Sequence, residues 1–188
     1  MKNKKIVIGV VGKTGAGKDT FCDYLKKYSK LPVFIFRFSD PLTQVLKIFF
    51  NKIKKEDQQW LGKVLRERYG NDILAKTLKK EIEKIKKGLV VLNGVRYQEE
   101  FEMIKKIGGK IVYIDCPEKL RWKRLQKRGE KLDDKVSFKK FLEMERAKTE
   151  SQIEKISKFA DFVIKNDSTK KDFAKKVLNF CKNLINVF

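Results

Sequence analysis

Histidine is absent from the 188 residues, and only three cysteines are present. A chain without histidine cannot carry a histidine general base, a Ser-His-Asp triad or a histidine-containing zinc site. Cys22, Cys116 and Cys181 are far apart, odd in number and form no C-x-x-C pair, so they indicate neither a disulfide framework nor a thiolate metal site. Any acid-base chemistry must therefore use carboxylates, lysine, tyrosine or cysteine.

Long hydrophobic runs are also absent. The run from Ile6 to Val11 is interrupted at Gly9, and no stretch approaches the ~20 apolar residues of a membrane span. Nothing at the N-terminus is typical of a signal peptide. We therefore expect a soluble, cytoplasmic protein.

Acidic residues are scarce beside basic ones, with 24 Asp and Glu against 46 Lys and Arg and a formal net charge of +22. A charge of this sign favours an anionic partner. Only eight of the basic residues are arginines, and the lysines occur mostly in pairs scattered along the chain. This pattern is typical of solvated helix faces, so nucleic acid is a possible partner but not the favoured one.

What the sequence does contain is an alternation of short β-branched runs and amphipathic segments. Strands are predicted at about residues 4–11, 32–38, 89–92, 111–115 and 160–165. Helices are predicted from about residues 18, 40 and 169, and over about 56–69, 72–87, 99–107, 117–129 and 138–158. Strands that alternate with helices predict one α/β domain over residues 1–188, with about five parallel strands sandwiched by helices.

Residues 12–18 follow the first predicted strand and precede a helix, and they match the G-x-x-x-x-G-K part of the P-loop pattern. Glycines let successive backbone N–H groups surround a phosphate, and the helix N-terminus adds its positive end. Lys18 adds a point charge for the β- and γ-phosphates of a nucleotide. The predicted ATP-binding residues in this segment are Gly12, Lys13, Thr14, Gly15, Ala16, Gly17, Lys18, Asp19 and Thr20.

The P-loop pattern departs from its strict form at Asp19, which occupies the position of the usual Ser or Thr and is followed by Thr20. A carboxylate is a hard oxygen ligand that suits Mg²⁺, so Asp19 or Thr20 is the candidate ligand. The alternative is that Asp19 only complements the positive end of the helix.

Arginines mark two further places. Arg96 follows the third predicted strand, at the edge where open α/β sheets bind ligands, and is predicted to hold an acceptor phosphate; the alternative is an ion pair with Glu99 or Glu100. Arg121, Arg124 and Arg128 share one helix face, which is unfavourable unless an anion lies between them. With the loop that follows, they predict a lid over about residues 118–137; the alternative is an exposed basic helix.

Asp40 and the aromatic residues are each open to two interpretations. Asp40 precedes Pro41, as a helix N-cap does, and its carboxylate could also be a base that takes the proton of a hydroxyl acceptor. The rings are expected in the core or in helix packing, with Phe38 and Trp60 as the candidates for contact with an acceptor. The expected core set is Phe34, Phe36, Phe49, Phe50, Trp122 and Phe173.

The chain resembles the P-loop kinases of the nucleoside monophosphate kinase group, and within it the deoxynucleoside monophosphate kinases and the dephospho-CoA kinases. The segments similar to the first are Gly17 to Thr20, Phe38 to Leu42, Gln59 to Gly62 with Arg66, and Val95-Arg96 with Gly108-Gly109. The segments similar to the second are Arg124-Leu125 with Arg128, and Ala160 to Asn166 with Ser168.

The resemblance implies transfer of the γ-phosphoryl group of ATP to a nucleotide-type acceptor, with Mg²⁺ as cofactor. It implies Lys18, Asp40, Arg96, Arg124 and Arg128 as catalytic residues, and Asn166, Ser168 and Thr169 with Arg124 at the ATP base or phosphates. The implied acceptor site is the helical region of about residues 40–87 and contains Phe38, Asp40, Trp60, Arg66 and Arg96. Asn93 stands where the family often has an aspartate near the magnesium, so we hypothesise that Asp19 supplies the missing carboxylate.

The favoured acceptor is a (deoxy)nucleoside monophosphate, which the segment from Gln59 to Gly62 supports, and the alternative is the hydroxyl of dephospho-CoA. Two other classes remain open at this stage: a P-loop ATPase stimulated by nucleic acid, and a nucleotide-binding module without turnover. The expected partners are ATP and a small phosphorylated acceptor, and the chain is expected to be a monomer or a homodimer.

Overall fold

The computed structural model describes residues 5–129, 135–145 and 148–187, with the backbone alone at residues 55, 144, 148–151 and 185–187. The strands are β1 (Lys5–Val11), β2 (Val33–Arg37), β3 (Gly88–Asn93), β4 (Lys110–Asp115) and β5 (Phe162–Lys165). The helices are α1 (Lys18–Tyr28), α2 (Asp40–Phe49), α3 (Lys55–Tyr69), α4 (Ile73–Lys84), α5 (Gln98–Lys106), α6 (Glu118–Arg128), α7 (Phe138–Glu145), α8 (Lys148–Ser157) and α9 (Lys170–Val187).

The strands form one parallel sheet in the order β2-β3-β1-β4-β5. The central strand β1 pairs with β3 on one side, where Val7 faces Val90, and with β4 on the other, where Val10 faces Val112. Its residues from Ile6 to Val11 are all buried. The predicted α/β fold with about five parallel strands is thus confirmed, and the carboxyl ends of all five strands share one edge of the sheet.

Helices cover both faces of this sheet. Because side chains alternate along a strand, Ile8 of β1 packs with Phe21 of α1 and Phe173 of α9, whereas Val7 packs on the opposite face in the cluster that contains Ile82 and Ile104. The second face also takes up α8. Two apolar layers therefore hold the central strand, and with it the loop that follows it, in place.

The segment predicted to be helical over residues 138–158 is helical in both of its described parts, α7 and α8. Residues 146–147 lie outside the described ranges.

The expectation that Phe49 and Phe50 belong to the core is wrong. Their exposed fractions are 72% and 53%, whereas Leu42 and Leu46 of the same helix are buried. Phe49 is the last residue of α2 and Phe50 follows it, so both rings extend past the packed part of the helix. Phe34 is also partly exposed, whereas Phe173 is in the core and Trp122 packs on Phe138 with ring centroids 5.5 Å apart.

Within the described part of the chain, no helix combines the length and the apolar character that a membrane crossing requires.

Candidate functional site

The segment between β1 and α1 is a tight loop at the carboxyl edge of the sheet. Gly15 and Gly17 have φ values of 79° and 95°, in the left-handed region that favours glycine. A Cβ atom at Gly17 would lie 2.3 Å from Nδ2 of Asn166, so no side chain fits there. The backbone of the loop therefore lies close to Asn166 at Gly17. The loop leads into the N-terminus of α1, as phosphate binding requires.

Lys18 folds back over this loop. Its Nζ donates hydrogen bonds to the backbone oxygens of Gly12 at 2.6 Å and Lys13 at 3.1 Å. The ammonium charge thus lies at the loop, where the phosphates of a bound nucleotide would meet it.

Asn166 and Arg124 support the loop from the other side. Asn166 follows β5, is 5% exposed and donates from Nδ2 to the backbone oxygen of Ala16 at 2.8 Å. Arg124 of α6 donates from Nη2 to Oδ1 of Asn166 at 3.0 Å and from Nη1 to Sγ of Cys116 at 3.2 Å. The structure thereby brings together three predicted ATP-site elements that are distant in the sequence.

Ser168 and Thr169 lie just beyond this cluster. Ser168 is exposed, and the hydroxyl of Thr169 accepts a hydrogen bond from the backbone N–H of Asp172 at 3.1 Å and donates to its carboxylate at 2.6 Å. The Thr169 side chain therefore caps the N-terminus of α9, and its predicted contact with a nucleotide base remains a prediction.

Asp19, Arg37 and Asn93 form a polar group beside Lys18. Oδ1 of Asp19 accepts hydrogen bonds from Nη2 of Arg37 and Nδ2 of Asn93, both at 2.7 Å. Burial alone would raise the pKa of Asp19, but these two hydrogen bonds and the charges of Arg37 and Lys18 lower it below its ordinary value. Asp19 therefore carries a full negative charge at neutral pH.

This polar group fits a magnesium ion. Asn93 is 4% exposed, and its Oδ1 atom is buried without a hydrogen-bond partner, so it can accept a hydrogen bond from a water bound to an ion. Asp19 and Thr20 add a carboxylate and a hydroxyl oxygen, the donor types that Mg²⁺ takes. Among the described residues, no group of three or more Asp, Glu, Cys or His side chains is placed to hold a metal ion.

A second basic group lies where β3 ends. Arg66 of α3 places its guanidinium 4.1 Å from the ring centre of Tyr97, and its Nη2 is 3.8 Å from Oε1 of Glu100. Glu100 is 3% exposed, and its Oε2 accepts hydrogen bonds from the backbone N–H groups of Arg96 at 2.8 Å and Tyr97 at 3.2 Å. Burial raises the pKa of Glu100 to about 7, against these two hydrogen bonds and the charges of Arg66 and Arg96, which lower it.

Asp40 is the first residue of α2, and Ser39 holds the N-cap position predicted for Asp40. Oδ2 of Asp40 accepts the backbone N–H of Arg37 at 2.7 Å, and the side chain of Arg37 reaches Asp19. Asp40 is thus linked through Arg37 to the phosphate loop.

Phe38 and Trp60 have opposite environments. Phe38 is 5% exposed and belongs to the apolar cluster under α4 and α5, whereas Trp60 of α3 is 63% exposed. Trp60 therefore lies outside the core, and contact of either ring with an acceptor remains a prediction.

Arg121, which shares a helix face with Arg124 and Arg128, is paired within the chain. It is 3% exposed, and its guanidinium forms a two-pronged ion pair with Glu145 of α7, in which Nη2 and Oε2 are 2.6 Å apart. It also donates to the backbone oxygens of Cys116 at 3.0 Å and Thr14 at 3.3 Å. The anion that this basic helix requires at Arg121 is therefore Glu145 of the chain itself.

Lys13 joins the same network. Its Nζ lies 2.5 Å from Oε1 of Glu154 in α8 and 3.8 Å from Oε2 of Glu145. The phosphate loop is thus connected by ion pairs to α7 and α8 as well as to α1.

The sequence was also compared with known protein families and known proteins. A family model described as AAA domain matches residues 8–155. The chain belongs to this AAA domain family. A UPF0200 protein of Sulfurisphaera tokodaii is 33% identical over 183 residues, which are 95% of this chain and 97% of the relative. A UPF0200 protein of Methanocaldococcus jannaschii is 28% identical over 184 residues, or 96% and 91% of the two chains.

Solved structures place the AAA domain among the P-loop kinases by fold. It superimposes on a shikimate kinase from Bacteroides thetaiotaomicron with a TM-score of 0.64 at 16% identity, over 96% of this chain and 98% of the other. A dephospho-CoA kinase from Campylobacter jejuni gives a TM-score of 0.51 at 18% identity, with the same coverage. These identities show the fold alone, and they confirm the predicted resemblance to P-loop kinases at that level.

The sequence reasoning missed two residues of the candidate site, Arg37 and Glu145, and the pairing of Glu100 with Arg66. Arg37 ends β2 at the same edge as Asn93, a position that could have drawn attention to it. Glu100 is the third residue of α5 and accepts the N–H of Tyr97 before the helix, a capping pattern that a sequence can show. Glu145 lacks such a local signal.

Arg128 is exposed at the end of α6, and part of the predicted lid, residues 130–134, lies outside the described residues.

Proposed function

We propose that this AAA domain is an ATP-dependent kinase that transfers the γ-phosphoryl group to a nucleotide-type acceptor, with a (deoxy)nucleoside monophosphate as the favoured acceptor. The observation that supports it most is the position of two basic groups at the ends of neighbouring strands. The loop with Lys18 follows β1, and Arg66 and Arg96 meet at Glu100 where β3 ends. A donor and an acceptor phosphate could thus meet between them.

Phosphoryl transfer asks a protein for alignment and for cations around the moving charge, and little covalent work. In this proposal the backbone of residues 12–18 holds the phosphates of ATP, and Lys18 neutralises the β- and γ-phosphates. Arg124 contacts the nucleotide from α6, and Arg128 approaches the transferred group. Mg²⁺, held through Asp19 and Thr20 with Asn93 on a bound water, would add charge neutralisation on the phosphates.

The two basic groups favour a phosphate acceptor over a hydroxyl. A monophosphate is already ionised at neutral pH and needs arginines, whereas a hydroxyl benefits from a base. Asp40 is the candidate base, and its link through Arg37 to Asp19 keeps the dephospho-CoA alternative under consideration.

The test is a coupled assay of ADP release with ribo- and deoxynucleoside monophosphates and dephospho-CoA as acceptors. We expect turnover with at least one monophosphate. The Lys18→Ala variant should lose about 10²- to 10³-fold in kcat, since it removes a cation from the phosphates. Lys26→Ala, on the exposed side of the same helix, is the matched control and should match the wild type.

Other results of the assay would overturn the proposal. Tight ATP binding with no ADP formed from any acceptor would indicate a binding module, and ATP hydrolysis that rises with DNA or RNA and falls with salt would indicate a nucleic-acid-stimulated ATPase. Undiminished turnover of Lys18→Ala would remove the mechanism altogether.

The acceptor type can be tested separately with Asp40→Asn. If the acceptor is a monophosphate, we expect kcat to fall less than about tenfold, because no base is required. A loss of several orders of magnitude, together with turnover of dephospho-CoA, would instead assign Asp40 as the base for a hydroxyl.

A further inference from the structure

Glu100 is a buried carboxylate at the proposed acceptor site with an incomplete set of partners. Its Oε2 atom is well used, since it accepts the backbone N–H groups of Arg96 and Tyr97. Its Oε1 atom faces Nη2 of Arg66 at 3.8 Å, which is beyond hydrogen-bond distance. The carboxylate is thus fixed on one side and loosely paired on the other.

For comparison, the side chains of Arg121 and Glu145 are 4% and 9% exposed and form a closed ion pair, whereas the Arg66 side chain is 15% exposed. Arg121 and Glu145 form two hydrogen-bonded contacts, and Arg121 has further partners for its remaining donors. Arg66 donates from Nη1 to the backbone oxygen of Gly62 at 3.2 Å, but its buried Nε atom has no hydrogen-bond partner. Because a buried, unsatisfied donor is costly, this open geometry points to a second anion that Arg66 is arranged to meet.

We propose that Glu100 is the internal counter-anion of the acceptor site, which pairs with Arg66 while the site is empty and takes up a proton when the acceptor phosphate takes over that arginine. The proposal rests on the proposed function in so far as it assigns Arg66 to the acceptor. A buried carboxylate is stable as an anion only while nearby cations compensate it. A phosphate that binds Arg66 removes part of this compensation. Protonating Glu100 then costs less free energy than keeping a buried carboxylate charged without its cation.

The proton step is simple in chemical terms. A proton from the solvent or buffer forms an O–H bond at Oε1 of Glu100, the oxygen that faces Arg66. Oε2 remains a hydrogen-bond acceptor in the neutral acid, so the backbone of Arg96 and Tyr97 stays in place. Glu100 therefore acts through Arg66 as a positioning residue and does not touch the transferred group.

The surroundings of Glu100 place this exchange in an accessible pH range. The charged groups that act on it are Arg66 of α3 and Arg96 of the loop after β3, and burial raises its pKa to about 7. The chain has no histidine that could titrate in the same range. Burial also raises the pKa of the cysteines, to about 12 at Cys22 and about 11 at Cys181.

The experiment uses sulfate, a dianion that keeps its charge from pH 6 to 8.5, as the probe of the acceptor site. The full chain is first saturated with a non-hydrolysable ATP analogue and Mg²⁺, and sulfate binding is measured by calorimetry over this pH range. We expect the affinity of the wild type to fall by up to about tenfold per pH unit above pH 7, because one proton must be bound. Repeating the titration in two buffers of different ionisation enthalpy should show proton uptake. Sulfate bound to surface lysines adds a background that does not change with pH.

Glu100→Gln imitates the protonated carboxyl and should bind sulfate with no pH dependence, at least about tenfold more tightly than the wild type at pH 8.5. Glu102→Gln, an exposed change of the same charge on the same helix, should follow the wild type. The proposal is wrong if the wild type binds no sulfate, if its affinity is constant from pH 6 to 8.5, or if Glu100→Gln keeps the wild-type slope. If Glu100→Gln fails to fold, the proton uptake of the wild type, measured in the two buffers, tests the proposal on its own.

This result is independent of turnover. If no acceptor yields ADP but sulfate binding remains linked to a proton at Glu100, the kinase proposal fails and the anion site stands. If turnover is found without that proton, the kinase proposal stands and the role given to Glu100 is wrong.

Discussion

Single side chains set the chemistry of the metal site that we propose beside the phosphate loop. The strict loop pattern has Ser or Thr after its lysine, and this chain has Asp19, hydrogen-bonded to Asn93 at the end of β3. A carboxylate and an amide thus lie at positions 19 and 93, where the strict loop pattern has a hydroxyl and the resembled kinases often have a carboxylate. The exchange keeps a negative charge beside Lys18.

This arrangement predicts a rescue. Asp19→Asn should lower kcat by about 10²-fold and weaken the dependence on Mg²⁺ concentration, because the charged oxygen is lost. Adding Asn93→Asp to that variant returns a carboxylate to the same contact and should restore most of the rate. Mg²⁺ titrations of steady-state ADP release on the single and double variants measure both effects. Intact turnover and Mg²⁺ dependence in Asp19→Asn and in Asp19→Ala would remove Asp19 from the metal site.

The sequence was sufficient to predict the arrangement of residues that are neighbours in the chain. The loop of residues 12–18 is a local pattern, and its glycines and Lys18 lie where the pattern placed them. The partners of Arg66 and Arg121 are different, because Glu100 and Glu145 come from other helices. Which of several nearby carboxylates meets a given arginine depends on how the helices pack, and no spacing in the sequence encodes it.

Among the secondary-structure elements, α6 and α7 are joined near the loop by an ion pair as well as by the packing of Trp122 on Phe138. Arg121 on α6 and Glu145 on α7 have side chains only 4% and 9% exposed, and Arg121 also binds the backbone of Thr14 in the loop. The two helices and the loop are therefore joined by a buried charge pair.

Breaking this pair should cost far more than breaking a surface pair. Glu145→Gln leaves the Arg121 charge buried without its counter-charge, and we expect the free energy of unfolding to fall by about 3 kcal/mol. Glu143→Gln removes an exposed pair with Lys140 on the same helix and should cost about 0.5 kcal/mol or less. Urea denaturation of both variants gives the comparison, and equal losses would show that the Arg121 pair does not stabilise the fold.

The elements themselves were predictable where a run of one periodicity ends at a clear signal. All five strands were found within two residues of their bounds, and each has Gly, Pro, Asp or Asn at one end at least. The described parts of the helix predicted over residues 138–158 are helical. Phe49 has the spacing of a buried residue after Leu42 and Leu46, and it is exposed because its helix ends there.

For the whole molecule, the balance of charge sets how stability depends on pH. The net charge is +22, and the described carboxyls with resolved shifts fall into two groups. Lysine or arginine neighbours help to lower the pKa of Asp19 and Asp161, so these residues stabilise the fold at neutral pH and lose that effect in acid. The pKa of Glu100 is shifted in the opposite direction, so its effect on stability has the opposite dependence on pH.

The pKa of Glu100 is raised from 4.5 to about 7, so between these values the folded chain holds a proton that the unfolded chain has lost. Stability therefore falls as the pH rises through this window, by about 3 kcal/mol for a shift of this size. We expect the stability of Glu100→Gln relative to the wild type to increase by about this amount between pH 4.5 and 8. Chemical denaturation at a series of pH values measures the difference, and Glu102→Gln should show none of it. A difference that stays constant with pH would contradict the raised pKa.

The hydrogen bond from Asn166 to Ala16 spans 150 residues of chain. During translation, residues 12–18 leave the ribosome early, but β3, β4 and Asn166, which hold the loop in shape, are made much later. We therefore expect no fragment cut short before β5 to retain nucleotide, however intact its glycine-rich segment. For this protein, synthesis must be nearly finished before ligand can help the chain to fold.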